Sequence, residues 1–367
     1  MRKKAKRKSA PRVKARTQPK KKGFKKKRTA LRSMAAPDAS AGGQKIVTAL
    51  GEINLGEKII TNSARGTFLD CRKKFLWEYA YRLATRGITD YFWVGSVCHE
   101  EWDLMYQRGK FAVKPFRKRL NAAIEKALAL CVNEDQSDKV WKGGACIGGL
   151  IPSYAEHYLE RDLDQFEIVA TETRFEPIEI PNTSGWRYGG IRDMLVREGG
   201  ELGLWENKTA GGIDAGYIAR LPLDFQILGY VWATQTEMEE ELDFIMYNIA
   251  QKTKLRGRQG EAFPSLLERI AEDYAVDPTK YFYRERVPFD QRSVKNFVKE
   301  LSAFCGELDR AIKDGYWSMN TRRCADRGIC PMMPLCIEGP KPDLLLQYRR
   351  KASQHEELES KKKAKAA

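Results

Sequence analysis

Residues 189–210 read GGIRDMLVREGGELGLWENKTA. Two runs of strand-forming residues flank Gly199–Gly200, so the stretch reads as two strands folded back at a tight turn. Side chains two apart in a strand share a face, so Glu206 and Lys208 project together, and the hairpin carries Asp193 alongside them. Two carboxylates held close repel each other unless a cation sits between them. Mg²⁺ is satisfied by one or two carboxylates, waters and phosphate oxygens. A neighbouring ammonium can orient the attacking water and offset charge on the transition state. These residue types at this spacing therefore fit phosphodiester hydrolysis. The same three would also serve as a solvent-facing salt bridge on an edge strand. Gly189 and Gly190 permit close backbone approach, and Leu204 and Trp205 place the second strand at least partly in a core.

Working outward, FEIVATETRFEPIEI (166–180) and GWRYGGIRDMLVRE (185–198) read as strands with a turn at Asn182–Gly185. An amphipathic helix is expected at about 214–235, strands at 241–251 and 280–289, and a long helix at 290–314. Upstream, Ser63 is expected to cap a helix through ARGTFLDCRKKFLWEYAYRL (64–83), with Phe68, Cys71, Phe75 and Tyr79 on one face. A second helix covers VGSVCHEEWDLMYQ (94–107), and two more fill roughly 115–165. The class is α/β: a mixed sheet flanked by helices, with a helical segment before it. Glu172, in the first strand, is a further carboxylate that would support the acidic pair, face a bound substrate, or simply be exposed on an alternating strand.

The formal net charge of the 367 residues is +16, while residues 1–37 carry 17 Lys or Arg and no acid. The rest of the chain is thus nearly neutral, and the basic stretch points to a polyanionic partner, most simply nucleic acid. Residues 1–44 read as a disordered basic tail, 45–340 as the folded domain and 341–367 as a charged flexible tail. KTKLRGR (252–258) is a candidate phosphate-contacting loop or a solvated turn. No apolar run long enough for a membrane span and no secretory leader is read, so a cytoplasmic protein is expected.

Four blocks, in order, resemble the PD-(D/E)XK nuclease superfamily and its RecB-like branch, which includes the CRISPR-adaptation nucleases and many phage exonucleases. They are SARGTFLDCRKKFLWEY, VGSVCHEEWD, GGIRDMLV with LWENKT, and DFQILGY, together spanning about residues 60–337. The resemblance implies a restriction-endonuclease-like core and a DNA nuclease, with exonuclease action on single strands or duplex ends in recombination, repair or phage DNA processing. It implies Mg²⁺ or Mn²⁺ held by His99, Asp193 and Glu206, with the Asn207 carbonyl as a further ligand. Lys208 would act on the water, and Gln226 and Tyr230 would face the site. One departure is Arg192, which precedes Asp193 where the family often has Ile-Asp.

Eight cysteines occur, and three of them, Cys324, Cys330 and Cys336, lie in the loop RRCADRGICPMMPLC (322–336). Thiols in a loop gain little from packing, so metal ligation is the better reading, with Cys71 as the fourth ligand. The resembling iron–sulfur nucleases use one early and three late Cys for a [4Fe–4S] cluster. The five-residue gap between the first two late Cys departs from their usual spacing and keeps zinc as an alternative. Cys98, Cys131, Cys146 and Cys305 fall in helical patterns and read as small buried residues. Two other functions stay open from the residues: a non-catalytic DNA-binding or assembly module on a nuclease-like fold, and a zinc-stapled RNA-binding protein.

Overall fold

The structure, a computed structural model, describes residues 53, 55–87, 90–326 and 328–359, so the expected basic tail lies outside the described residues. The principal helices are α1 (Asn62–Asp70), α2 (Asp90–Arg108), α3 (Val113–Leu128), α4 (Glu134–Tyr154), α5 (Phe225–Met238), α6 (Phe263–Val276) and α7 (Gln291–Asp314). Five strands, β1 (Glu167–Arg174), β2 (Ile191–Glu198), β3 (Glu201–Ala210), β4 (Phe244–Gln251) and β5 (Phe282–Val287), form one sheet in the order β1-β2-β3-β4-β5. Neighbours are antiparallel except β3 and β4, which run parallel. A parallel pair needs a crossover, and α5 lies on it.

Both sheet faces are covered, which is why β3 and β4 are so apolar. On one face Leu195, Leu204 and Ile245 pack with Val231 of α5 and Phe297 and Leu301 of α7. On the other, Met194, Val196 and Trp205 pack with Trp102, Ile147, Leu150 and Ile270 of α2, α4 and α6. Adjacent residues Leu204 and Trp205 thus enter different cores, as strand alternation requires. Among the described residues no helix is long and apolar enough to cross a membrane.

Several local expectations are corrected. The strand expected at 185–198 is split at Gly189–Gly190: Arg187–Tyr188 leaves to pair with Ile59–Ile60 and Ile178–Glu179, and β2 starts at Ile191. A Cβ on Gly190 would lie 2.6 Å from Tyr230 Cε1 and 2.9 Å from the Phe175 ring, so the chain passes there only without a side chain. The cap of α1 is Thr61, whose Oγ1 accepts from Ala64 N at 3.1 Å, while Ser63 is exposed. The helix expected through 83 stops at Asp70, because Cys71 is extended (φ −164, ψ 112), and resumes at Arg72. The helix expected from 214 is broken near Pro222, and Asp224 caps α5 proper. Helix α6 was not anticipated, although Leu266, Ile270 and Tyr274 form a buried stripe at helical spacing. Residues 341–359, read from composition as part of a charged tail, carry a short strand, Tyr348–Arg350, paired with Leu83–Thr85, and a buried His355.

Candidate active site at the fork of two strands

Strands β2 and β3 pair from Glu198↔Glu201 to Met194↔Trp205, and no pairing follows. One step further along this register stand Asp193 and Glu206, where the strands part. The Asn207 N–H, left without a backbone acceptor on that side, donates instead to Asp193 Oδ2 at 2.7 Å. Across β1, Glu172 is the residue opposite Asp193, between the pairs Thr171↔Met194 and Thr173↔Arg192, and it holds a left-handed backbone (φ 44). That conformation is costly for a residue with a side chain.

Helix α2 lies over the fork. Its Gly95 packs on β3, where a Cβ would come within 3.3 Å of Thr209 Oγ1, and one turn later His99 points down. His99 Nδ1 lies 3.3 Å from Asp193 Oδ1 and 3.9 Å from Glu172 Oε1. One ligand atom from each of His99, Glu172 and Asp193 falls within 4.8 Å of the others, the one such group of His, Cys, Asp or Glu among the described residues.

A second chain of contacts starts at Glu206, which is 1% exposed. Lys208 Nζ donates to Glu206 Oε1 at 2.5 Å and to Gln226 Oε1 at 3.0 Å. Gln226 Nε2 donates to Glu206 Oε1 at 3.0 Å and to the Tyr230 hydroxyl at 3.2 Å. Gln226 and Tyr230 are four apart on α5 and so share a face. Glu206 Oε2 is buried with no hydrogen-bond partner.

The electrostatics follow. Burial, reinforced by Asp193 and opposed by Lys208, raises the Glu206 carboxyl to about 8. Burial pushes the His99 imidazole down, but Asp193, Glu172 and Glu206 outweigh it and leave it raised. Burial pushes Asp193 up, and His99, Lys208 and the Asn207 N–H more than offset it, so its carboxyl is lowered. Lys208 is raised despite burial because Glu206 and Asp224 face it. Two raised acids of opposite type around an orphaned carboxylate oxygen, with oxygen and imidazole donors only, suit a divalent cation that would replace protons.

A family model described as the PD-(D/E)XK nuclease superfamily matches residues 60–337. The chain belongs to this superfamily. Membership implies a nucleic-acid substrate and phosphodiester chemistry, and the mixed, helix-flanked sheet is consistent with the family's core. Of solved structures, one titled "Crystal structure of SSO0001" overlaps 64% of this chain and 82% of its own at 14% identity, with a TM-score of 0.22. No curated protein matches.

The structure brings His99, Asp193, Glu206, Lys208, Gln226 and Tyr230 to one end of the sheet, and adds Glu172. Asn207 stands between Glu206 and Lys208, with its N–H on Asp193 Oδ2. The cysteines gather elsewhere. Cys71 Sγ accepts from Asn320 N at 3.4 Å, and Cys324 Sγ lies 4.0 Å from Asn320 O. Cys330 N donates to Cys324 O at 2.8 Å, and Trp77 Nε1 donates to Cys336 Sγ at 3.3 Å. Burial, with Cys71 and Cys324 nearby, pushes the Cys336 thiol up. Among the described residues no three of these sulfurs lie within 4.8 Å of one another, so the expected thiolate cluster is not closed. Cys98, Cys146 and Cys305 are buried as expected, and Cys131 only half-buried.

Proposed function

We propose that this chain is a divalent-metal-dependent deoxyribonuclease, of exonuclease type, acting in DNA recombination, repair or phage DNA processing. The observation that carries the reading is the group His99, Glu172 and Asp193, whose ligand atoms fall within 4.8 Å of one another, next to Glu206, which stands opposite Asp193 in register and whose buried Oε2 has no hydrogen-bond partner. A buried acceptor left unsatisfied is costly, and a cation would satisfy it. His99, Asp193 and Glu206, joined by Glu172, are the residues to hold Mg²⁺ or Mn²⁺. A bound ion would polarise the scissile phosphate and acidify water. The chain's own groups do the rest. Lys208, held by Glu206 and Gln226, aims its ammonium at the space in front of Glu206, where it orients the attacking water and meets the charge developing on the phosphate. Gln226, braced by Tyr230, keeps Lys208 from swinging away. His99 and Glu206 would give up their protons in order to hold the ion.

The four cysteines Cys71, Cys324, Cys330 and Cys336 are proposed to hold a [4Fe–4S] cluster. A tetrahedral zinc site with Zn–S near 2.3 Å needs sulfurs about 3.8 Å apart. The preference for a cluster comes from the resemblance to the iron–sulfur nucleases, which use one early and three late Cys, and zinc is the alternative occupant.

The test of the nuclease reading uses end-labelled single- and double-stranded DNA of both polarities, with Mn²⁺ or EDTA. Wild type should degrade DNA with Mn²⁺ and stop in EDTA, and Lys208→Ala should cut on the order of 10²–10³-fold more slowly. Absence of metal-dependent cutting by wild type on every substrate would leave a DNA-binding module on a nuclease fold.

A further inference from the structure

The middle residue of the Glu-Asn-Lys triplet points away from Glu206 and Lys208, into the opposite core, and it is 5% exposed. Its side chain meets an unusual environment. In the parallel register of β3 and β4, Asn207 stands beside Asn248, and in the antiparallel register of β4 and β5, Asn248 stands beside Arg284. Three polar residues therefore form one row across three neighbouring strands, ending on the edge strand β5. Asn248 Nδ2 donates to Asn207 Oδ1 at 2.7 Å and to the Tyr154 hydroxyl at 2.9 Å, and Arg284 Nε donates to Asn248 Oδ1 at 3.2 Å. Asn207 Oδ1 also accepts from Trp205 Nε1 at 3.1 Å. The row ends on the buried Asp162, which takes both Arg284 Nη groups while the guanidinium lies 3.6 Å over the Tyr158 ring. At its other end, Asn207 gives its backbone N–H to Asp193 Oδ2.

Apolar side chains would fill this core at lower cost, since every buried polar group must find a partner. What a polar row supplies is register. A one-residue slip of β3 against β4 would send Glu206 and Lys208 to the wrong face, and the two amides meet only in the native alignment. We propose that the Asn207–Asn248–Arg284 row is a positioning device for the active site: it locks β3 in register and turns the Asn207 N–H onto Asp193, so that Asp193 and Glu206 address one ion. Asn248 is the key positioning residue, and it touches neither substrate nor metal. This inference rests on the metal-site reading above.

The experiment measures Mn²⁺ affinity of the full chain by electron paramagnetic resonance of free Mn²⁺, alongside thermal melting. Asn248→Val removes all three hydrogen bonds of the amide; loss of such outer hydrogen-bond partners typically weakens metal binding about tenfold or more, and that is the expected result. Should Asn248→Val melt without cooperativity, Asn248→Ser replaces it, keeping a polar group near Arg284 but too short to reach Asn207. The control is Tyr106→Phe. It deletes a hydroxyl bonded to Tyr154 at 2.7 Å and Asp162 at 2.6 Å, within the same buried network but hydrogen-bonded to neither amide. It should lower the melting temperature and leave Mn²⁺ affinity within twofold. Folded Asn248 variants that bind Mn²⁺ within twofold of wild type would overturn the proposal, as would an equal loss in Tyr106→Phe. Wild type that binds no Mn²⁺ would overturn the metal site itself.

Discussion

The carboxylate fork and the cysteine region gather potential ligands by different means. At the fork, donors ride on long elements: Glu172, Asp193 and Glu206 on adjacent strands and His99 on a 19-residue helix. Each is held by protein hydrogen bonds or packing before any ion arrives. The cysteines sit at a helix break, in a single-turn 3₁₀ segment, in a loop and on a six-residue helix, all half-buried. Short elements cannot fix side chains against one another without something at their centre. The contrast separates groups that the fold itself holds together from thiols that it leaves apart.

The largest expected effect tests that separation. Cys336→Ala should abolish the visible iron–sulfur absorbance. It should also forfeit the stabilisation of a ligand present at about 1,000 times its dissociation constant, about 4 kcal/mol, or on the order of 10 °C in melting temperature. Mn²⁺ affinity at the fork should stay within twofold. A parallel loss of Mn²⁺ binding would break the comparison, and elemental zinc without absorbance would replace the cluster with zinc.

Next comes the rigidity of the fork. Gly190→Ala drives a methyl group into Tyr230 and Phe175, and overpacking of this kind costs about 1–3 kcal/mol. Because Tyr230 braces Gln226, cutting should slow as well. Gly211→Ala, with nothing within 4 Å of its added carbon, is the matched control and should shift stability by less than about 0.5 kcal/mol. Equal effects from the two would contradict a preformed site.

The smallest effect is electrostatic. Glu206 and His99 both have raised values in the folded, metal-free protein. The folded state therefore holds more protons than the unfolded chain above the ordinary carboxylate range. Glu206 stability is fully present below about 4.5 and is lost as pH climbs to about 8, and His99 follows above 6.5. Melting temperature of the metal-free chain should fall as pH rises from about 5 to 8, while Mn²⁺ binds more tightly over the same range and flattens the curve. Metal-free stability that rises with pH across this window would show that these groups do not carry the charge balance of the fork.

Much of this was legible in the chain itself. Alternation and the Gly199–Gly200 turn define β2 and β3 because period-two patterning is local, and the same alternation puts Glu206 and Lys208 on one face. Capping at Asp224 and the strain-free passage at Gly190 were less visible, since each depends on what packs opposite. Helix α6 carries its apolar stripe, Leu266, Ile270 and Tyr274, in the sequence, but what the stripe buries against, α4, is more than a hundred residues away. For Glu172 the sequence leaves a supporting carboxylate and an exposed strand residue equally open. Only pairing of β1 with β2 sets it opposite Asp193.

Sequence alone determined the residue kinds available and their order: two acids, a lysine, a histidine on a helix, four separated thiols, a basic N-terminal stretch. Those follow from short-range periodicity and chemical type. The tertiary structure decided what joins the hairpin's acids and lysine, through the crossing of α2 over the gap where β2 and β3 part, the pairing of β1 with β2, and the polar row that β4 and β5 add behind them. Such facts depend on pairing between segments tens of residues apart, which no local pattern encodes.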